Sequence, residues 1–234
     1  YGKKTLHILL KKLCQIKGIR WIRVLYCYPE EIYDELIQVM KEEKKICNYL
    51  DLPIQHASDR ILKRMGRRTT RKQLEDIIAK LRREIPDIVL RTSLITGFPG
   101  ETQEDHEELM EFVDEMEFDR LGVFTYSPEE GTPAETMEGQ VPEEVKEERR
   151  DELMSLQQEI SLEKGDERIG QELLVMIEGK VADEDAYVGR SQADAPGVDG
   201  YVFVNTPETL VSGDFVRVKI TGALEYDLIG EIYH

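Results

Sequence analysis

Gln55 and His56 close one apolar run, Leu50-Asp51-Leu52-Pro53-Ile54. Gly97-Phe98-Pro99-Gly100-Glu101-Thr102 closes another, which begins at Arg91. The Gln55 amide donates and accepts at once, which suits a ribose or an amide. His56 can carry a proton near neutral pH. Gly97 lets a ligand approach the backbone closely, Pro99-Gly100 suits a tight turn, and Glu101 can accept from a ligand's hydroxyl or amino group. Each also has a plainer reading: the glycines and proline serve only a chain reversal, and Gln-His satisfies loop backbone. A third run ends in Phe124-Thr125-Tyr126-Ser127-Pro128, where Tyr126 either stacks on a purine or fills a core. Lys63, Arg64, Arg67, Arg68, Arg71 and Lys72 form one dense basic cluster, able to grip phosphate or an acidic loop, or simply to face solvent. His7 and His106 read as solvated helix positions, and His234 is terminal.

The elements that must carry these residues alternate. Leu6, Leu9, Leu10 and Leu13 repeat at helical spacing before Gly18. Ile19 to Cys27 is β-branched and aromatic, hence a strand. Pro29 opens a helix with Ile32, Leu36, Val39 and Met40 on one face. Ile46 to Ile54 reads as a buried strand. Ser58 caps a short helix carrying Ile61, Leu62 and Met65. Thr70 with Gln73 marks the next helix by a capping box. Ile88 to Thr96 is a strand, Thr102 with Asp105 starts another helix, and Asp119 to Tyr126 is a strand again. Strands alternating with helices form parallel βαβ units, wound right-handed into an open sheet or a barrel arc. In such an arc the carboxyl ends of the strands, where all three runs stop, are where ligands bind.

Pro142 to Lys164 predicts a long helix with Val145, Leu153, Leu156 and Ile160 turned to a core. Helical period then stops. Leu173–Ile177, Ala186–Arg190, Tyr201–Asn205, Phe215–Ile220 and Asp227–Tyr233 alternate, with turn residues between them. Five short strands predict a small antiparallel barrel. The expected divisions are 1–140, a bridging helix 141–165, and 166–234.

The chain has 48 acidic and 31 basic residues, a net charge of −17. Residues 166–234 hold 14 acids against 5 bases, which opposes nucleic acid and favours a basic protein as partner. No run approaches eighteen apolar residues, so no membrane helix is expected. Cys14, Cys27 and Cys47 lack any C-x-x-C or C-x-x-x-C spacing. They read as reduced, buried thiols in a cytoplasmic protein rather than as metal ligands. The chain begins at Tyr1 without a methionine and reads as a fragment.

Taken together, Tyr49 to Ser58, Leu62-Lys63-Arg64-Met65-Gly66-Arg67-Arg68, Gly97 to Thr102, Phe124 to Ala134 and Gly189 to Gly200 resemble the radical SAM methylthiotransferases, over nearly the whole chain. Within that family Gln55-His56-Ala57-Ser58 and Ala193-Asp194-Ala195-Pro196 are similar to the branch that modifies a ribosomal protein. The tRNA-modifying branch usually carries a Gln-Ser-Gly-Ser type of sequence at the first place and lacks the second.

The resemblance implies an α/β fold, an incomplete TIM-like radical SAM βα barrel, followed by a small all-β, OB-like TRAM barrel from about residue 166. It implies S-adenosylmethionine and [4Fe–4S] clusters as cofactors, and methylthiolation at the β-carbon of an aspartate of small-subunit ribosomal protein S12. By motif position it places Gln55, His56, Arg91, Gly97, Glu101 and Tyr126 at S-adenosylmethionine. Arg190, Asp194 and Asp199 fall to the protein substrate, which the acidic TRAM barrel would dock. The family's C-x-x-x-C-x-x-C loop is not in these 234 residues, and thiolates are the ligands a cluster requires. This chain alone is therefore expected to hold no cluster and to be inactive. Two other readings stay open: a tRNA-modifying methylthiotransferase, and a non-catalytic scaffold that binds a basic protein.

Overall fold

A computed structural model describes residues 2–233. Tyr1 and His234 lie outside it, and with them the reading of His234 as merely terminal. Two compact units divide inside one long helix, between Gln157 and Gln158.

The first unit is a four-stranded parallel sheet in the order β1-β2-β3-β4, with β1 Ile22–Val24, β2 Ile46–Asp51, β3 Val89–Thr96 and β4 Arg120–Thr125. Its helices are α1 Leu6–Cys14, α2 Asp34–Glu42, α3 Asp59–Arg64, α4 Arg71–Glu84 and α5 Gln103–Met116. The alternation seen in the sequence is thus the alternation of the fold.

The elements are shorter than their apolar runs wherever the chain turns toward the sheet's carboxyl edge. β1 spans only Ile22–Val24, because Tyr26 takes a left-handed φ of 58° and turns the chain out. The Cys27 amide still donates to the Asp51 carbonyl. Pro29 opens one turn of 3-10 helix, Pro29–Glu31, rather than α2 itself. β2 stops at Asp51; Pro53 has no N–H to continue a ladder, and Gln55 makes a single bridge to Leu94.

β3 shows why the arc has two different faces. Leu90, Thr92, Leu94 and Thr96 are fully enclosed, while Arg91, Ser93 and Ile95 are half-buried. That alternation is the two-residue period of a strand. The register sets Asp51, Arg91 and Arg120 in one row and Ile95 beside Phe124 in another.

Both capping boxes are present, Thr70 with Gln73 and Thr102 with Asp105. Ser58 sits at the N-cap of α3 but makes no side-chain cap bond. Its hydroxyl donates instead to Asp105, 2.7 Å away. His56 braces the approach to the helix, its Nδ1 accepting from the amides of Ala57 (3.0 Å) and Ser58 (2.9 Å).

The long helix, α6 Glu143–Asp166, departs from its predicted apolar stripe. Val145 and Leu156 are only half-buried, and the enclosed positions are Lys146, Arg149, Leu153, Gln157, Ile160, Ser161 and Gly165. The reason is what those polar residues meet. Lys146 Nζ donates to the Tyr126 carbonyl (2.8 Å), Gln157 to the Phe118 carbonyl (2.8 Å), and Arg149 to the Glu101 carboxylate (2.8 Å). A buried polar group is stable only with such partners.

The second unit is a closed barrel in the order β5-β6-β7-β9-β8, with β5 Glu172–Lys180, β6 Ala186–Arg190, β7 Val202–Asn205, β8 Phe215–Ala223 and β9 Leu228–Ile232. It is not wholly antiparallel: β7 pairs with β9 in parallel. An odd number of strands cannot alternate direction all the way round a ring, so one parallel pair is unavoidable. Val175, Ile177, Tyr187, Val202, Val204, Val218, Ile220 and Leu228 fill its interior. The strands close tightly because Gly230 has no side chain; a Cβ there would lie 2.4 Å from Val218 Cγ1.

Candidate functional site

A cavity of about 570 Å³ opens in the first unit, where β2, β3 and β4 end. Its walls are Pro53, Gln55, Ser93, Ile95 and Phe98, with Met65 and Arg67 from the end of α3 and Tyr26, Tyr28 and Phe124 around them. Tyr26 is 80% exposed and Phe124 58% exposed. Large exposed aromatics beside a cavity offer apolar faces to a flat ligand.

Gln55 is held in a conformation that favours glycine, φ 74°. Two backbone bonds keep it there: its N–H donates to the Ser93 carbonyl (3.0 Å), and its carbonyl accepts from Ile95 (2.8 Å). A strained residue persists when its surroundings over-determine it, and such residues cluster at ligand sites.

Arg67 is the one charged side chain lining the cavity, among the described residues. Its guanidinium lies 5.0 Å over the Tyr28 ring and donates from Nη2 to the Pro53 carbonyl. Its Nε is buried without a hydrogen-bond partner. A guanidinium at the wall of an otherwise neutral cavity is suited to an anionic group.

The other expected residues sit behind this wall. Glu101 is fully buried. Its Oε2 accepts from the amides of Gly97 (2.8 Å) and Phe98 (3.3 Å), its Oε1 accepts from Arg149 (2.8 Å), and His56 Nε2 stands 3.5 Å from Oε2. A carboxylate has about four acceptor sites; protein groups take three of them, and Glu101 holds the loop in place.

Gly97 likewise makes room for the protein, not for a ligand: a Cβ there would lie 2.1 Å from Lys146 Cγ. Tyr126 packs edge-on against Phe98, ring centroids 5.3 Å apart, one layer behind the cavity. Burial, then the charges of Glu135 and Glu129, push its phenol pKa up. Arg91 donates to Asp51 (2.9 Å) and Ser93 (3.3 Å) on the open face of the sheet. Of the six residues expected at the cofactor, Gln55 lines the cavity and the other five stand around or behind it.

Sequence reasoning passed over Tyr26, Tyr28, Ser93, Phe98 and Phe124 as site residues, and took Arg67 only as part of a basic cluster. That cluster is dispersed in the fold. Arg64 donates to the Pro99 (2.9 Å) and Glu138 (3.2 Å) carbonyls. Arg71 reaches Glu75, Glu111 and Glu115, and Lys72 reaches Asp76. The partners on α5 are some 40 residues away, out of reach of any local pattern.

In the barrel, Arg190 pairs with Glu178 (2.5 Å). Asp194 accepts from the Ser191 amide (2.9 Å) and hydroxyl (2.7 Å), and Asp199 accepts from the Ala195 amide (2.7 Å). These two carboxylates shape the Ser191–Asp199 loop from within.

Asp105 ties the two rim loops together. It accepts from Ser58 Oγ (2.7 Å), the Thr102 amide (2.8 Å) and Arg60, which also reaches the Gly100 carbonyl (2.7 Å). Burial raises its pKa, but Arg60, the Thr102 amide and the two hydroxyls outweigh that and hold it at about 2, against 3.8 ordinarily. A depressed carboxylate stabilises the fold above its unfolded pKa and loses that contribution as pH falls through the folded one. Arg60 is half-exposed, so the contribution is taken as about 2 kcal/mol. Asp105→Asn should therefore flatten the fall in urea midpoint between pH 4 and pH 2. Parallel acid profiles for the two proteins would exclude this role.

No three or more His, Cys, Asp or Glu side chains converge in a metal-binding group among the described residues. Cys14, Cys27 and Cys47 are buried and form no disulfide, and burial is the largest of the effects raising the thiol pKa of Cys14 and Cys27. They do not fit the donor set of an iron–sulfur cluster. No helix among the described residues is long and apolar enough to cross a membrane.

Residues 2–113 match the radical SAM superfamily and residues 169–232 match the TRAM domain. The ribosomal protein uS12 methylthiotransferase RimO of Lachnoclostridium phytofermentans is 62% identical over 98% of this chain and 52% of its own length. That of Desulfitobacterium hafniense is 54% identical over 99% of this chain and 52% of its own length. The chain thus spans about half the length of these curated relatives. Among solved structures, coproporphyrinogen III oxidase (HemN) from Escherichia coli, a radical SAM enzyme, superposes with a TM-score of 0.54 at 16% identity. That match covers 80% of this chain and 50% of HemN, and shows a shared fold.

Proposed function

We propose, for a chain that belongs to the radical SAM superfamily and carries a TRAM domain, that it is part of a methylthiotransferase acting on an aspartate of ribosomal protein uS12. The observation that carries the reading is the cavity at the strand ends, with Arg67 as its one charge and Gln55 fixed at its wall. S-adenosylmethionine fits that chemistry. Its adenine is a flat apolar ring for the aromatic and Ile95 walls, its ribose hydroxyls suit the Gln55 amide, and its carboxylate suits Arg67. Held by Gln55 and Arg67, S-adenosylmethionine would supply the radical chemistry of its family.

The part played by this chain's own residues is to bind, orient and exclude water. Gln55 and Arg67 fix the two polar ends of the ligand, while Phe98, Ile95 and Met65 keep the space between them dry. The cluster's cysteines are assigned to no residue here. The 166–234 barrel, with 14 acids against 5 bases, presents a field that draws a basic ribosomal protein and repels RNA.

Arg67→Gln should weaken S-adenosylmethionine binding about 10- to 100-fold, the value of a charge-assisted bond, while Arg67→Lys retains part of it. Equilibrium dialysis with labelled S-adenosylmethionine on the cluster-loaded, full-length polypeptide reads both. Equal affinity in wild type and Arg67→Gln would remove the assignment.

A further inference from the structure

Arg149 stands on α6, outside the cavity and 6% exposed. Its Nη1 donates to Glu101 Oε1 (2.8 Å) and to the Glu101 carbonyl (3.4 Å). From Glu101 the contacts spread in two directions. Oε2 holds the amides of Gly97 and Phe98, and Phe98 is a wall of the cavity. The same Oε2 faces His56 Nε2 at 3.5 Å. Nδ1 of that ring accepts from the Ala57 and Ser58 amides, which leaves the ring proton on Nε2, toward the carboxylate. Gln55, the residue before His56, is the other polar wall. One buried carboxylate therefore fixes the Gly97–Phe98 backbone by hydrogen bonds and faces the unbonded Nε2 of His56, whose ring braces the other loop, and one arginine holds that carboxylate.

We propose that Arg149 is a positioning residue for the ligand of this cavity, acting through Glu101 and His56 on Phe98 and Gln55. Without it, Glu101 becomes a buried carboxylate with no cation. It must then take a proton or admit water, and either change releases amides it now accepts from. The affinity part of the test rests on the reading of the cavity as a site for S-adenosylmethionine; the backbone part does not.

The test uses full-length, cluster-loaded protein with Arg149→Met, Arg149→Lys and the double variant Arg149→Met/Glu101→Gln. Three quantities are read: melting temperature, hydrogen exchange of the amides of Ala57, Ser58, Gly97 and Phe98, and the dissociation constant of S-adenosylmethionine. Arg149→Met should speed exchange at those four amides, and weaken binding, by about tenfold or more. Arg149→Lys, which keeps the charge but not the fork, should fall between and covers the case in which the methionine variant folds poorly.

The double variant has no buried unpaired charge, so its melting temperature should recover. Its amide oxygen can stand where Oε2 stands, the one oxygen that accepts from both Gly97 and Phe98, so protection at those amides and affinity should return in part. Affinity no better in the double variant than in Arg149→Met, uniform exchange across the chain, or no change in Arg149→Met would each overturn the proposal. If wild type bound no S-adenosylmethionine while exchange rose only at the four amides, the positioning role would stand and the cofactor reading would fall.

Discussion

Glu101→Leu should destabilise the chain by about 3–5 kcal/mol, the largest single loss expected from any substitution discussed here. The leucine leaves Arg149, 6% exposed, as a buried cation without its carboxylate. It also strips the Gly97 and Phe98 amides of their acceptor. Each effect alone costs free energy because none of these groups can reach bulk water. Glu101→Gln keeps the shape and one acceptor oxygen, so it should lose clearly less. Urea denaturation of the three proteins at neutral pH measures the difference. A loss of about 1 kcal/mol or less for Glu101→Leu, the range of an exposed ion pair, would mean that the carboxylate is not the hub described.

Gly97→Ala comes second. Gly97 has φ +70°, where a side chain costs about 1–2 kcal/mol. Its new Cβ would also lie 2.1 Å from Lys146 Cγ and 2.9 Å from Cδ. Lys146 is not free to swing away, since its Nζ donates to the Tyr126 carbonyl (2.8 Å) and to Glu143 (3.0 Å). Overpacking of this kind adds about 1–3 kcal/mol, for a total near 3 kcal/mol. A double-mutant cycle separates the two parts. Lys146→Ala removes the obstructing stem, so Gly97→Ala should cost only its backbone strain in that background. An unchanged cost there would show that the lysine stem is not the obstacle.

These two residues show where local reading stops. From the loop Gly97-Phe98-Pro99-Gly100-Glu101-Thr102, a glycine and a carboxylate at a strand end suggest a ligand, since free space and an acceptor are what a ligand needs. In the folded chain both needs are met from α6, some fifty residues later, by the Lys146 stem and the Arg149 guanidinium. The apolar stripe expected on α6 holds at Leu153 and Ile160 and fails at Val145 and Leu156. Lys146, Arg149 and Gln157 share the buried face because they meet carbonyls and a carboxylate at the sheet's edge, and no periodicity within the helix records that. Arg67 shows the converse. In the sequence it is one of six bases with nothing to distinguish it, and only its place at the cavity wall, with an unpartnered Nε, does so.

What the sequence determined by itself is whatever depends on neighbours a few residues apart. That includes the βα alternation, the capping boxes at Thr70 and Thr102, the change from helical to strand period near residue 166, and the signature motifs of the family. Only the tertiary structure decided which of the chemical residues face open space and which are consumed inside the protein. Hydrogen-bonding capacity is finite: a carboxylate or guanidinium that finds buried partners across the fold has little left for a ligand. Those partners come from chain segments 40 to 50 residues away, so the outcome belongs to the packed molecule and not to any stretch of its sequence.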